Sequence, residues 1–296
     1  MADEKQAAGI ALEHVTYRYS IGTPFEKAAL SDVSMTFERG IITGLMGHTG
    51  SGKSTIAQLL NGLLRPTEGR VLLDGTDIWE DPKKISAVRF RVGLVFQYPE
   101  YQLFEETVRR DIAYGPGNMG LPQEEIDKRV EEAARFTGIT PDMFEKSPFE
   151  LSGGQKRRVA IAGVMAMDPE ILVLDEPAAG LDPKGRKEIL DGIRAYQREK
   201  KNTIIIISHS MEDMAVYADK LMVLDHGKVS RYGTAHEIFC HAEELKQVGL
   251  SRPQITKFIM ELQKAGIPVE SGIYTVEDAY REVLRVFREK ERASKC

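Results

Sequence analysis

Residues Gly47-His48-Thr49-Gly50-Ser51-Gly52-Lys53-Ser54 carry the spacing G-x-x-x-x-G-K-S. Glycines at such spacing let backbone N–H groups turn inward around phosphates, and the helix that follows adds positive potential at its N-terminus. In this pattern Lys53 reaches the β- and γ-phosphates and Ser54 ligates magnesium. A second set of groups closes the apolar run Ile171-Leu172-Val173-Leu174, which ends in Asp175 and Glu176. Asp175 is placed to hold magnesium, directly or through water, and Glu176 to polarise an attacking water as general base. An Asp-Glu pair at a strand end is commonplace alone; beside a phosphate loop it gains meaning. His209 follows the run Thr203–Ile207, where it suits a γ-phosphate contact, and Gln97 follows Val92–Phe96, with an amide able to reach magnesium or water. Far along the chain, Leu151-Ser152-Gly153-Gly154-Gln155 opens a helix. Its exposed N–H groups make a second anion site, or no more than an N-cap by Ser152.

These groups need elements to hold them. The segments Ile41–Met46, Val92–Phe96, Ile171–Leu174 and Thr203–Ile207 are short, apolar and largely β-branched, as strands buried on both faces of a parallel sheet are. Thr55–Leu64, Gln123–Phe136, Gly153–Met167 and Lys184–Lys200 read as helices. The alternation predicts an α/β fold with a mostly parallel core sheet. Ala11–Tyr19 and Ala29–Phe37 alternate like half-buried strands, which predicts an antiparallel edge subdomain. Strand signals vanish between Gln97 and Asp168, so a helical subdomain is expected at about 98–168. The main domain is expected to span 1–240 and a small helical extension 241–296. In that extension Ile255, Phe258, Ile259 and Leu262, then Tyr280, Val283, Leu284 and Phe287, recur at helical spacing. Gly266 and Pro268 stop the first helix, and Thr275 with Asp278 caps the second. These stripes would pack on the main domain or form a dimer contact.

Composition narrows the classes. A formal net charge of -5 argues against nucleic acid as a partner. The two cysteines, Cys240 and Cys296, have no metal-ligand spacing and argue against a disulfide framework, which fits a reducing compartment. The N-terminal MADEKQAAG lacks an apolar signal core, and no apolar run approaches the roughly 20 residues needed to cross a bilayer. A membrane role must therefore act through a partner.

The order of phosphate loop, Gln97, LSGGQ at 151–155, ILVLDEP at 171–177, AAGLD at 178–182 and His209 resembles that of ATP-binding cassette (ABC) ATPases over about residues 10–240. That resemblance implies a P-loop ABC nucleotide-binding fold that binds ATP and Mg2+. It also implies a head-to-tail dimer, as a homo- or heterodimer with a second ABC ATPase subunit, in which each phosphate loop faces the LSGGQ segment of the other subunit. Ser152, Gly153, Gly154 and Gln155 then meet the partner's nucleotide. Asp182 belongs to a loop that communicates across the interface. Tyr19, with Tyr17 as the alternative, stacks on adenine, and Thr55 completes the nucleotide-binding set. The segment Phe96–Val108, reading FQYPEYQLFEETV, and DIAYGPGNMGL after it resemble the energy-coupling factor (ECF) transporter ATPases, in wording the second of two paired ATPases. The likeness implies ATP hydrolysis at the cytoplasmic face of a membrane, powering uptake of vitamins or similar micronutrients. The implied partners are a transmembrane coupling protein and substrate-binding membrane proteins. Glu100, Glu105 and Glu106, with exposed Leu103 and Phe104, would then meet arginines on coupling helices. A cobalt or nickel uptake ATPase is the alternative. A soluble ABC ATPase of the DNA-repair type fits less well, because no heptads lie between the phosphate loop and LSGGQ.

Overall fold

In the computed structural model the chain is described over residues 9–240 and 253–293. Met1–Ala8, Cys296 and the start of the expected C-terminal extension lie outside the described residues. The strands are β1 (Ile10–Tyr19), β2 (Lys27–Phe37), β3 (Ile42–Met46), β4 (Glu68–Leu73), β5 (Thr76–Asp77), β6 (Val92–Val95), β7 (Ile171–Asp175), β8 (Thr203–Ile207), β9 (Lys220–Asp225) and β10 (Lys228–Gly233). The helices are α1 (Lys53–Leu60), α2 (Ile85–Arg91), α3 (Val108–Asn118), α4 (Gln123–Thr137), α5 (Gly153–Met165), α6 (Pro183–Lys200), α7 (Met211–Tyr217), α8 (Ala235–Cys240), α9 (Gln254–Lys264) and α10 (Val276–Ala293).

A six-stranded sheet runs in the order β10-β9-β3-β8-β7-β6, parallel except for β10. Its strands divide their residues between two cores. Ile204 and Ile206 of β8 face one, Ile205 and Ile207 the other; Leu172 and Leu174 of β7 likewise oppose Ile171 and Val173. A strand apolar on both sides is what a sheet covered on both faces requires. The first core joins the sheet to α3–α7. The second holds α1 between it and a four-stranded antiparallel sheet, order β2-β1-β4-β5. The expected antiparallel edge is thus a second sheet, and the expected helical stretch lies between β6 and β7 as α3, α4 and α5.

The C-terminal helices build a core of their own from Ile259, Val269, Ala279 and Val286. Ile259 of the first stripe lies in this core with Ile255 and Leu262 against it, whereas the second stripe contributes nothing to it. Tyr280, Val283 and Phe287 are exposed, as are Val276 and Phe258, while Ala279, Glu282 and Val286 point inward. Glu282 is tolerated there because its carboxylate accepts from the Glu270 N–H (2.6 Å) and from Arg285 (2.6 and 2.8 Å). Thr275 does cap α10: its hydroxyl accepts from the Asp278 N–H at 3.1 Å and donates to the Asp278 carboxylate at 2.6 Å. Among the described residues no helix is long and apolar enough to cross a membrane.

Helices α4 and α6 meet at Gly192, where an added Cβ would lie 1.9 Å from the Phe136 carbonyl oxygen. Alanine is the better helix former by about 1 kcal/mol, so propensity alone predicts that Gly192→Ala stabilises the protein. A backbone collision of this size dominates instead. Gly192→Ala is expected to lower the melting temperature in calorimetry; an increase would show that the two helices separate freely.

Candidate functional site

Parallel register brings the groups singled out in the sequence to one edge. Leu45 of β3 and Asp175 of β7 both pair with Ile207 of β8, and Leu174 pairs with Val95 of β6. The chain therefore leaves four adjacent strands at one level: into the phosphate loop after β3, to His209 after β8, to Glu176 after β7 and to Gln97 after β6. Ligands of open α/β sheets bind at such carboxyl edges.

The loop after β3 is closed by its own lysine. Lys53 Nζ donates to the Gly47 and His48 carbonyls at 2.8 and 2.9 Å. Only glycine fits at two points of the wrap. A Cβ at Gly47 would stand 2.3 Å from the Leu224 oxygen, and one at Gly52, whose φ is 109°, 2.7 Å from the Ala29 oxygen. Ser51 Oγ is buried in the wrap without a hydrogen-bond partner. Tyr19, Lys27, Gly50, Gly52, Lys53 and Thr55 line a cleft of about 190 Å³ beside the loop. Tyr19 is fixed there by a 3.2 Å hydroxyl contact with Thr55 and by the edge of Tyr17, centroids 4.8 Å apart.

Three charged side chains sit almost out of water at this edge: Lys53 is 6%, Asp175 7% and Glu176 9% exposed. Burial lowers the Lys53 pKa, with the two carboxylates pulling the other way. Burial raises that of Asp175, against a 2.7 Å hydrogen bond donated by Ser54 Oγ. Glu176 is pushed up to about 7, first by burial and then by its neighbour Asp175. His209 Nε2 stands 3.3 Å from Glu176 Oε1, outside hydrogen-bond geometry, so that buried oxygen has no hydrogen-bond partner. The His209 pKa is lowered, by burial and then by Lys53. Glu176 itself is held at φ 52°, its N–H bonded to the Ile207 carbonyl at 3.0 Å. Such strain persists where surroundings fix it, and it clusters at working sites. The orphaned Oε1, the glycine wrap and the Ser54–Asp175 pair of hard oxygen donors fit a phosphate chain with a magnesium ion. Gln97 is exposed, with no hydrogen bond from its side chain among the described residues.

The second anion site stands elsewhere. Ser152 and Gln155 form a full capping box at the start of α5, with hydrogen bonds of 2.9 and 3.3 Å. Ser152, Gly154 and Gln155 open into a separate cavity shared with Gly180, Leu181 and Asp182. Asp182 caps α6 by accepting from the Gly185 N–H at 2.6 Å. No residue lines both this cavity and the cleft at the phosphate loop.

Arg157 was not singled out in the sequence, because its partner lies far away in the chain. Buried, it donates to both carboxylate oxygens of Glu100 at 3.0 Å and to the Ala179 carbonyl. It thus ties the segment after Gln97 to the loop after Glu176. This takes Glu100 out of the expected acidic docking cluster. Glu100 is engaged internally and Glu106 pairs with Arg110, so Glu105 is the one of the three with no ion pair among the described residues. Leu103 is buried, whereas Tyr98, Tyr101, Phe104 and Tyr114 are exposed, with Phe104 against the edge of Tyr114 (centroids 4.8 Å).

Comparison with known proteins points the same way. A family model described as "ABC transporter" matches residues 30–179. A shorter match, to an AAA domain described as a putative AbiEii toxin of a Type IV TA system, covers 145–214 within and beyond it. The energy-coupling factor transporter ATP-binding protein EcfA2 of Caldanaerobacter subterraneus is 51% identical over 279 residues, 94% of this chain and 98% of that one. The EcfA2 of Clostridium acetobutylicum is 51% identical over 284 residues, 96% and 99% of the two chains. Among solved structures, cbiO1 of Clostridium perfringens, part of the ABC transporter complex cbiONQ, superposes with a TM-score of 0.72 at 41% identity, over 82% of this chain and 94% of that one. A dimeric ATP-binding cassette bound to ADP and Pi gives 0.69 at 28% identity, over 76% and 98%.

The raised Glu176 pKa makes a stability prediction. The folded protein holds this proton up to about pH 7, the unfolded chain only to about 4.5. The stability gained from the neutral acid is full below 4.5 and is lost as pH rises through 7, roughly 3 kcal/mol in all. Glu176→Gln should therefore melt several degrees higher than the native protein at pH 8, with the difference fading toward pH 4.5. Equal melting curves at pH 8 would place Glu176 in water.

Proposed function

The chain belongs to the ATP-binding proteins of energy-coupling factor transporters, within the ABC transporter family, and on that footing we propose how its residues bind and split ATP. ATP enters the cleft at Tyr19, whose ring stacks on adenine. Lys53 exchanges the Gly47 and His48 carbonyls for the β- and γ-phosphates, trading neutral acceptors for charged ones. Magnesium, when bound by Ser54, Asp175 and the Gln97 amide, supplies charge neutralisation on the phosphates. Glu176 takes a proton from water as its oxygen attacks the γ-phosphorus and the bond to the β-bridging oxygen breaks. His209, kept neutral, contacts the γ-phosphate.

The observation that carries the dimeric reading is the separation of the two anion sites. Ser152, Gly153, Gly154 and Gln155 present a helix start to a cavity that shares no residue with the phosphate-loop cleft of the same chain. A second cassette, identical or related, brings its own phosphate loop to this one. Asp182, at the same cavity, carries the contact across. The exposed face of Tyr280, Val283 and Phe287 is the dimer contact of the C-terminal helices.

The exposed aromatics Tyr98, Tyr101, Phe104 and Tyr114, rather than the acids, receive a transmembrane coupling protein at the cytoplasmic face of the membrane. Closure of the dimer reaches them through Arg157, which grips both Glu100 and the Ala179 carbonyl. Substrate-binding membrane proteins bring the cargo, vitamins or similar micronutrients, which this chain does not touch. The near-full-length likeness to EcfA2 proteins and the likeness to a component of an ABC transporter complex favour a transport ATPase over a soluble one; cobalt or nickel is the alternative cargo.

Three variants separate the parts. Lys53→Ala should weaken MgATP binding about tenfold or more. Glu176→Gln should bind MgATP normally and slow turnover about a hundredfold or more. Ser152→Arg should bind MgATP to its own loop unchanged, yet fail to turn over in the assembled transporter. Loss of nucleotide binding by Ser152→Arg to the same extent as Lys53→Ala would put both anion sites around one nucleotide in one chain, and the dimeric reading would fall.

A further inference from the structure

On the outer shoulder of the phosphate loop, His48 faces the turn between β9 and β10. Among the described residues, its imidazole, the carboxylate of Asp225 and the imidazole of His226 bring three donor atoms within 4.8 Å of one another. The loop and the turn are rigidly joined. The Gly227 N–H donates to the Ser51 carbonyl at 3.0 Å, and the Leu224 oxygen presses so near Gly47 that no Cβ would fit.

Hydrogen bonding fixes the proton on His48. Nδ1 lies 2.8 Å from the Thr49 carbonyl, which can only accept, so Nδ1 carries the hydrogen and Nε2 of the neutral ring carries the lone pair. That lone pair accepts a long hydrogen bond from the His226 N–H at 3.5 Å and also faces Asp225 Oδ1 at 3.3 Å, while His226 Nε2 lies 3.8 Å from the same oxygen. The two rings are 4.7 Å apart between centroids. At 3.5 Å that N–H is a weak donor, and the nitrogen and carboxylate oxygen still repel at 3.3 Å; a shared cation, a proton on His48 or a metal ion, turns the contact attractive. The spacing fits a metal. Bonds of about 2.0–2.1 Å at tetrahedral angles put neighbouring donors about 3.3–3.4 Å apart. An Nδ1–H anchored on a backbone carbonyl is also how metal-ligating histidines are usually oriented. The remaining distance is closed by a turn of the His226 side chain, which is 83% exposed.

We propose that His48, Asp225 and His226 form a transition-metal site, separate from the magnesium position. Two imidazoles and one carboxylate suit Zn2+, Ni2+ or Co2+ rather than Mg2+. The site clamps the phosphate loop to the β9–β10 turn. The His48 carbonyl is one of the two acceptors of Lys53, so a metal on the ring steadies the backbone that Lys53 must leave when phosphate arrives. The binding itself does not depend on the assignment of nucleotide to the loop.

ZnCl2 alone, titrated calorimetrically into the full chain in magnesium-free, nucleotide-free buffer, tests this. The expected result is micromolar binding that falls about tenfold or more both in His226→Asn and in Asp225→Asn. Asparagine accepts the left-handed backbone at 226, where φ is 43°, so the turn is kept. Zn2+ should also raise the melting temperature of the native protein and not that of His226→Asn. Magnesium-dependent ATPase of His226→Asn in chelator-treated buffer should equal that of the native chain. Zn2+ affinity equal in the native and His226→Asn proteins, or weaker than millimolar in the native one, would leave a shared proton as the cation between His48 and Asp225 and overturn the proposal.

Discussion

A lysine ammonium buried at the mouth of a glycine loop, beside two buried carboxylates, sets the terms for the rest of this molecule. Charges taken from water are costly unless paired. Here Lys53 is satisfied by two backbone carbonyls of its own loop, and Asp175 by Ser54. Glu176 is met differently: burial pushes its pKa to about 7, so near neutrality it carries its charge only part of the time. The loop is thereby already wrapped before phosphate arrives. In the proposed mechanism phosphate changes the partner of Lys53, from dipoles to full negative charge. The architecture serves that arrangement. Four parallel strands, buried on both faces, end at one level and hold the backbone around the charges still.

The same economy appears in the helical part. Arg157 is buried, and three groups drawn from two loops satisfy its guanidinium: the two Glu100 oxygens and the Ala179 carbonyl. Those loops follow Gln97 and Glu176, at the ends of β6 and β7. In the proposed mechanism a rearrangement around a γ-phosphate at the sheet edge reaches the exposed aromatics around Phe104 by way of Arg157. Bidentate pairing makes the link stiff, which lysine in its place would not be.

Much of this was legible because buried parallel strands announce themselves. Ile204–Ile207 and Ile171–Leu174 have no polar residue to confuse the reading, and the groups that do chemistry follow directly after them. Strands β4 and β10 are hidden in the sequence, since Glu68, Gly69 and Arg70 or Lys228, Ser230 and Arg231 mask any apolar alternation, whereas β9 carries a buried apolar run, Leu221–Leu224, as plain as those of β7 and β8. The last helix misled for another reason. It carries two stripes, and Tyr280, Val283 and Phe287 look the more apolar. The inward one contains Glu282, acceptable only because Arg285 and the Glu270 N–H wait for it. The Arg157–Glu100 pair could not be read at all: nothing local marks two oppositely charged residues on different elements as neighbours. Glu100 therefore passed for a surface acid.

A crystal structure of Glu176→Gln with MgATP tests the central claim most directly. The account predicts that Lys53 Nζ leaves the Gly47 and His48 carbonyls for oxygens of the β- and γ-phosphates, and that Ser54 Oγ turns from Asp175 to the metal. A nucleotide bound elsewhere, with the Lys53 ammonium still on its two carbonyls, would contradict it.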